Sequence, residues 1–216
     1  MDLNFGNDSY VSNRVAPLKP WEIHEVELKS VEVNSYQGKK DPSKTYDVLK
    51  ITFKNENGEF PITFFAPQEG DDVRATRKVG DHEQPAPSRL DNFIYGIGHI
   101  MAEVFPKLGK QLAGKSNVTF KLLGESLIKA QVEAKGKKFY LKLIADNKGT
   151  ARLPYFIGYS EKLQKFYINN NFIATTPGKL AFTAYELSRK DKVAEAKPST
   201  ISPDTTTSGD IDYNLL

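Results

Sequence analysis

Cysteine is absent from this 216-residue chain. That removes disulfide cross-links and thiolate metal sites, and it favours a reducing compartment, the cytoplasm, as the expected location. No apolar run approaches the roughly 20 residues of a membrane-spanning helix, and the opening MDLNFGNDSY lacks the basic and apolar blocks of a signal peptide. An HExxH zinc helix and a GxSxG elbow are both missing. These absences point to a binding protein without a cofactor rather than an enzyme. Basic residues are also missing from one end: Lys197 is the last, and residues 198–216 hold Asp204, Asp210 and Asp212. Residues 1–197 therefore carry all 30 Lys and Arg against 24 of the 27 Asp and Glu, a balance of +6 within an overall +3. A basic body suits a polyanion partner, and an acidic end suits a protein partner.

A hydrophobic content of 39%, with 11% aromatic, is enough for a core, and it falls in short runs that favour strands. Residues 45–66, TYDVLKITFKNENGEFPITFFA, predict a hairpin turning at Asn57-Gly58, the dipeptide suited to a type I′ turn. That register sets Phe53 opposite Ile62, Ile51 opposite Phe64 and Leu49 opposite Ala66, an apolar face with period two. The other face carries Tyr46, Lys50, Thr52 and Lys54, met by Thr63 and Phe65. Residues 127–144, LIKAQVEAKGKKFYLKLI, predict a second hairpin turning at Lys135-Gly136. Its apolar face pairs Val132 with Phe139, Ala130 with Leu141 and Ile128 with Leu143. Its outer face pairs Glu133 with Lys138, Gln131 with Tyr140 and Lys129 with Lys142.

Between and around these hairpins the chain divides as follows. Residues 1–20 form an extension ending in Pro17-Leu18-Lys19-Pro20. A long strand from Trp21 to about Asn34 changes its apolar phase between Leu28 and Val31, which predicts a bulge near Ser30. Pro61 marks the third strand as an edge. Residues 67–88 have almost no apolar content and read as a mobile insertion. A helix is predicted over 89–105, capped by Ser88, with Phe93, Ile97, Ile100, Met101 and Val104 on one face and Pro106 ending it. Gly96 and Gly98 are expected to allow close packing on a sheet. Further strands are predicted over 117–123, 151–157, 166–169, 172–174 and 180–187, and residues 188–216 as a disordered acidic tail.

That order predicts a mainly β fold, an OB-like five-stranded Greek-key barrel over residues 21–187, with one helix between strands 3 and 4 and additional C-terminal strands. The competing arrangement is a β-sandwich with an inserted helix. The face that mixes lysines with aromatics reads as a groove for single-stranded nucleic acid. Tyr46, Phe65 and Tyr140 would stack on bases, while Lys50, Lys54, Lys129, Lys138 and Lys142 neutralise phosphates. The flanking loops contribute Tyr36, Lys39 and Lys40 on one side and Lys135 and Lys137 on the other. Asp81-His82-Glu83 and Asp71-Asp72 offer only weak grounds for a metal-dependent nuclease, since adjacent residues in a polar loop do not converge on one ion. His24 and His99 read as ordinary strand and helix residues. A protein-interaction or assembly module using the same face is the alternative to nucleic-acid binding.

With these elements and the acidic–apolar tip Asp210-Ile211-Asp212-Tyr213, the chain resembles the single-stranded DNA-binding proteins of tailed bacteriophages. The resemblance is architectural and covers about residues 20–216. It implies non-enzymatic, sequence-independent coating of single strands in replication and recombination, with the tip recruiting partner proteins.

Overall fold

The computed structural model describes residues 16–38 and 41–195. In chain order the strands and helices are β1 (Glu22–Gln37), β2 (Thr45–Asn55), β3 (Gly58–Phe65), β4 (Thr76–Val79), β5 (His82–Pro85), α1 (Arg89–Val104), α2 (Pro106–Leu112) and α3 (Phe120–Ala134). They continue as β6 (Lys138–Ala145), β7 (Ala151–Arg152), β8 (Ile157–Ser160), β9 (Lys165–Ile168), β10 (Ile173–Ala174), a 3₁₀ turn (Pro177–Lys179) and α4 (Ala184–Glu195). The main sheet has the order β10-β6-β1-β2-β3, with β7 also on β6. β4–β5 and β8–β9 are separate hairpins. The result is a mainly β molecule, a curled antiparallel half-barrel with four helices among the described residues.

The curl comes from β1. Its first half, Glu22–Glu27, pairs with β6, and from Glu27 onward it pairs with β2. The register shifts between Leu28 and Ser30, where the apolar phase of the sequence changes. One extra residue there bends the strand and increases its twist, so β2 and β6 diverge from a shared centre.

The first hairpin keeps its expected faces and changes its register by two residues. Phe53 lies opposite Phe60, Ile51 opposite Ile62 and Leu49 opposite Phe64, so Glu56-Asn57 form the loop. An even shift preserves the inward set, which is why the core face survives. Asn57 and Gly58 do not take positive φ. Instead the Asn55 side-chain oxygen accepts the N–H groups of Asn57, at 2.8 Å, and Gly58, at 3.2 Å, an Asx turn. Gly58 serves a close approach: a Cβ there would overlap the Ala16 carbonyl oxygen. Glu59 N–H donates to that oxygen at 3.0 Å, and Glu59 O accepts from Leu18 N–H at 3.3 Å, which lays the N-terminal segment along β3.

The second predicted hairpin is not formed. Its first strand, and the strand expected over 117–123, belong to α3 and the segment leading into it. Thr119 caps the helix, its hydroxyl accepting from Leu122 N–H at 3.2 Å. Leu123, Leu127 and Ala134 are buried, while Val132 is 74% exposed. The alternation of Ile128, Ala130 and Val132 suggested a strand, but the heptad-like burial of Leu123, Leu127 and Ala134 in a Leu-, Lys- and Glu-rich segment favours helix. Gly124 lets α3 close on β1, where a Cβ would press Val33, and the Gln131 side-chain oxygen accepts Val31 N–H at 3.3 Å.

Three other expectations change. Three helices, not one, lie between β3 and β6; Pro106 ends α1 but starts α2. The strand expected over 180–187 is α4 preceded by a turn, and α4 continues through the start of the expected tail. Residues 67–88, expected as a mobile insertion, contain the β4–β5 hairpin, tied to α1 by Arg74 paired with Asp91 at 2.8 Å. Ser88 and Asp91 form the capping box of α1, as the sequence suggested for Ser88.

The core lies between the inner face of the sheet and the helices. Val26, Val31, Leu49, Ile51, Phe53, Phe139 and Leu141 meet Ile97, Ile100, Val104, Leu123 and Leu127. Each such side chain contributes about 1.5–3 kcal/mol by leaving water. Among the described residues no helix is long and apolar enough to cross a membrane.

Candidate nucleic-acid interface

Strand pairing arranges the outer face in rows. At the far end of β1, Tyr36 lies opposite Tyr46. The next row is Asn34–Val48–Phe65, and the next Glu32–Lys50–Thr63. Beyond the bulge, Glu27 stands between Lys54 on β2 and Lys138 on β6, and Glu25 faces Tyr140. The structure therefore brings Tyr36, Tyr46, Lys50, Lys54, Phe65, Lys138 and Tyr140 to one face of one sheet.

The face is divided electrostatically. Lys138 Nζ lies 3.1 Å from Glu27 and 3.4 Å from Glu25, and these carboxylates hold its pKa above the usual lysine value. Tyr140 donates its hydroxyl proton to Glu25 at 3.1 Å, which raises the phenol's pKa. Lys29, on the bulge, pairs with Glu59 at 2.6 Å. Together with Lys54, Asn55 and Glu56, the groups around Glu25 and Glu27 line a cleft of ≈ 550 Å³ whose charges are mixed. At the other end Glu32 is held in its ionised form chiefly by the Ser30 hydroxyl, at 2.7 Å, with a smaller contribution from Lys50. Among the described residues Lys50 and Lys54 are not within ion-pair distance of any carboxylate. Tyr36 is 53% exposed. The rings and unpaired cations thus gather on β2, β3 and the far half of β1.

Several expected contributors stand elsewhere. Lys142 points to the outer face but is 0% exposed, covered by α4 and the segment before it. Its Nζ donates to the Asn170 side-chain oxygen, to Ala181 O at 3.1 Å and to Glu186 at 3.2 Å, and it lies over the Phe182 ring. Burial lowers its pKa, against the pull of Glu186. It is a clamp for α4 and is not free to meet a phosphate. Lys129 lies on α3, on the opposite side of the sheet, because residues 120–134 are helical. Lys135 and Lys137 are exposed in the turn between α3 and β6, where Gly136 takes φ +73°. Lys39 and Lys40, and the tip Asp210, Ile211, Asp212 and Tyr213, lie outside the described residues.

The residues that sequence reasoning passed over are Glu25, Glu27 and Glu32. Comparing each hairpin only with itself left out the strand between them. Its period-two acids from Glu25 to Glu27, carried past the bulge to Glu32, were the signal that could have found them. Among the described residues no group of three or more His, Cys, Asp or Glu could hold a metal ion. His24 Nε2 contacts Lys19 O at 2.7 Å, and burial lowers the pKa of His99, which packs edge-on to Phe172. Set against known proteins, the chain matches no family model, no curated protein and no solved structure.

Proposed function

We propose that this protein is a non-enzymatic, sequence-independent single-stranded DNA-binding protein of the bacteriophage type, built on an OB-like barrel. The observation that carries this reading is the cross-strand pair Tyr36–Tyr46, continued by Lys50 on the same outer face. Rings on adjacent strands offer successive π-faces to successive bases, a sequence-tolerant contact worth roughly 1–3 kcal/mol per base. Lys50 and Lys54 lie beside them to neutralise phosphates. The OB-like assignment is supported by β1, which serves β2 on one side of its bulge and β6 on the other, and by the helices between β3 and β6. The role follows as coating of exposed strands in replication or recombination in the cytoplasm, with the acidic tip engaging a partner protein.

Titration with poly-dT at two salt concentrations, read by Trp21 and tyrosine fluorescence, tests this. Saturable quenching that weakens with salt is expected, and Tyr36→Ala with Tyr46→Ala should weaken binding about tenfold or more. Unchanged affinity in that double variant sinks the assignment of the site. A second reading, an assembly module that meets another protein, is favoured by the charge-matched half of the face, where Glu25 and Glu27 neutralise Lys138. Absence of any poly-dT binding at low salt would select it.

A further inference from the structure

The outer face has a second cationic end, at the turn between β6 and β7. Asp146 closes this turn: its Oδ1 accepts the N–H groups of Lys148 and Thr150, both at 2.8 Å. Arg152 follows on β7 opposite Ile144. Its neighbours Ala151 and Leu153 pack toward the core, so alternation turns Arg152 outward. α4 lies over the same place. Its Glu186 is fixed by Lys142, and one turn later Arg189 Nη2 donates to Asn147 Oδ1 at 3.1 Å. Arg189 thus reaches the turn from the helix, Arg152 lies on the strand that follows it, and Lys148 is exposed in the turn itself.

None of the three is within ion-pair distance of a carboxylate among the described residues. Arg152 Nε is enclosed and has no hydrogen-bond partner. Burial, and then the like charge of Arg189, lower the pKa of Arg152, against the opposing pull of Asp146. Two guanidinium groups within electrostatic reach of each other are relieved by an oxyanion placed between them, which their forked donors fit. Tyr155 and Tyr185, 54% and 67% exposed, stand within electrostatic reach of Arg152. Exposed rings beside paired cations suit a nucleotide better than a bare phosphate.

We infer that Lys148, Arg152 and Arg189 bind the phosphodiester backbone of a single strand, with Tyr155 and Tyr185 taking its bases. This rests on the nucleic-acid reading above and adds a second anchor to it. The two anchors stand at opposite ends of β1, whose 16 residues span about 50 Å at ~3.3 Å each. The charge-matched stretch around Glu25 and Glu27 lies between them.

The test is an oligo-dT titration of the full chain across a range of salt, with Lys148→Ala/Arg189→Gln and, separately, Tyr185→Ala. The double variant should bind about tenfold more weakly at low salt. Its slope of log K against log salt should flatten by about 0.7 for each phosphate that is no longer neutralised. Tyr185→Ala removes only an exposed ring, so it should weaken binding several-fold, about the scale of one stacked base, with the slope intact. Tyr36→Ala/Tyr46→Ala serves as the parallel control. If that control weakens binding while Lys148→Ala/Arg189→Gln and Tyr185→Ala leave both affinity and slope unchanged, the second anchor is refuted and the proposed function stands. A parent protein that does not bind oligo-dT at low salt refutes both.

Discussion

At position 142 a lysine is held under a helix, and the consequence of altering it depends on which partner remains. Glu186 accepts from Lys142, from Asn170 at 2.7 Å and from Thr183 N–H at 2.7 Å. Glu186→Gln leaves the ammonium buried without its counter-charge and should cost about 3–5 kcal/mol. Adding Lys142→Met to that variant should recover part of the loss, because the stranded charge is gone; denaturant midpoints of the two variants measure it. Asp91 carries a second, pH-dependent contribution. The Arg74 guanidinium, then hydrogen bonds from Ser88, hold its carboxyl below the usual aspartate value. A depressed folded pKa means stability is fully present above the unfolded value, about 3.9, and is lost as pH falls through the folded one. Asp91→Asn should therefore cost about 1–2 kcal/mol at neutral pH, with the cap weakened, and flatten the acid limb of a thermal-melting profile.

Within α1, two glycines separated by one residue should respond oppositely to a methyl group. At Gly96 a Cβ would come within 2.8 Å of the Phe64 ring on β3, whereas at Gly98 nothing lies within 4 Å. Gly98→Ala should stabilise the protein by up to about 1 kcal/mol through helix propensity. Gly96→Ala should destabilise it by about 1–3 kcal/mol through overpacking, as read by thermal melting. The sequence anticipated close packing at both, and only the sheet contact distinguishes them. The same limit explains which elements were legible. The bulge in β1, the Ser88 cap and the inward set of β2–β3 each follow from local chemistry that a change of register by two leaves intact. α3 was misread because Ile128, Ala130 and Val132 satisfy a period of two while Leu123, Leu127 and Ala134 satisfy helical spacing. Only packing against β1 decides between the two. For the candidate site, hairpin parity found Tyr46, Lys50 and Phe65, but pairing across β1 was needed to see that Lys138 is neutralised, and the docking of α4 to see that Lys142 is covered.

For the molecule as a whole, the division of the outer face sets how a polyanion would cross it. A strand lying along β1 must pass Glu25 and Glu27, which repel phosphates and occupy Lys138. Glu25→Gln/Glu27→Gln should therefore tighten oligo-dT binding several-fold and steepen its salt dependence, by about 0.7 for the phosphate that Lys138 becomes free to meet. Unchanged affinity and slope would mean that the strand avoids this stretch. The rim of the sheet carries a different consequence. Along β3, the outward backbone groups of Glu59 are already used by Ala16 and Leu18, and two residues on Pro61 has no N–H to offer. A foreign β-segment seeking a template there meets one occupied rung and one without a donor, so this border resists the runaway stacking that leads toward fibrils.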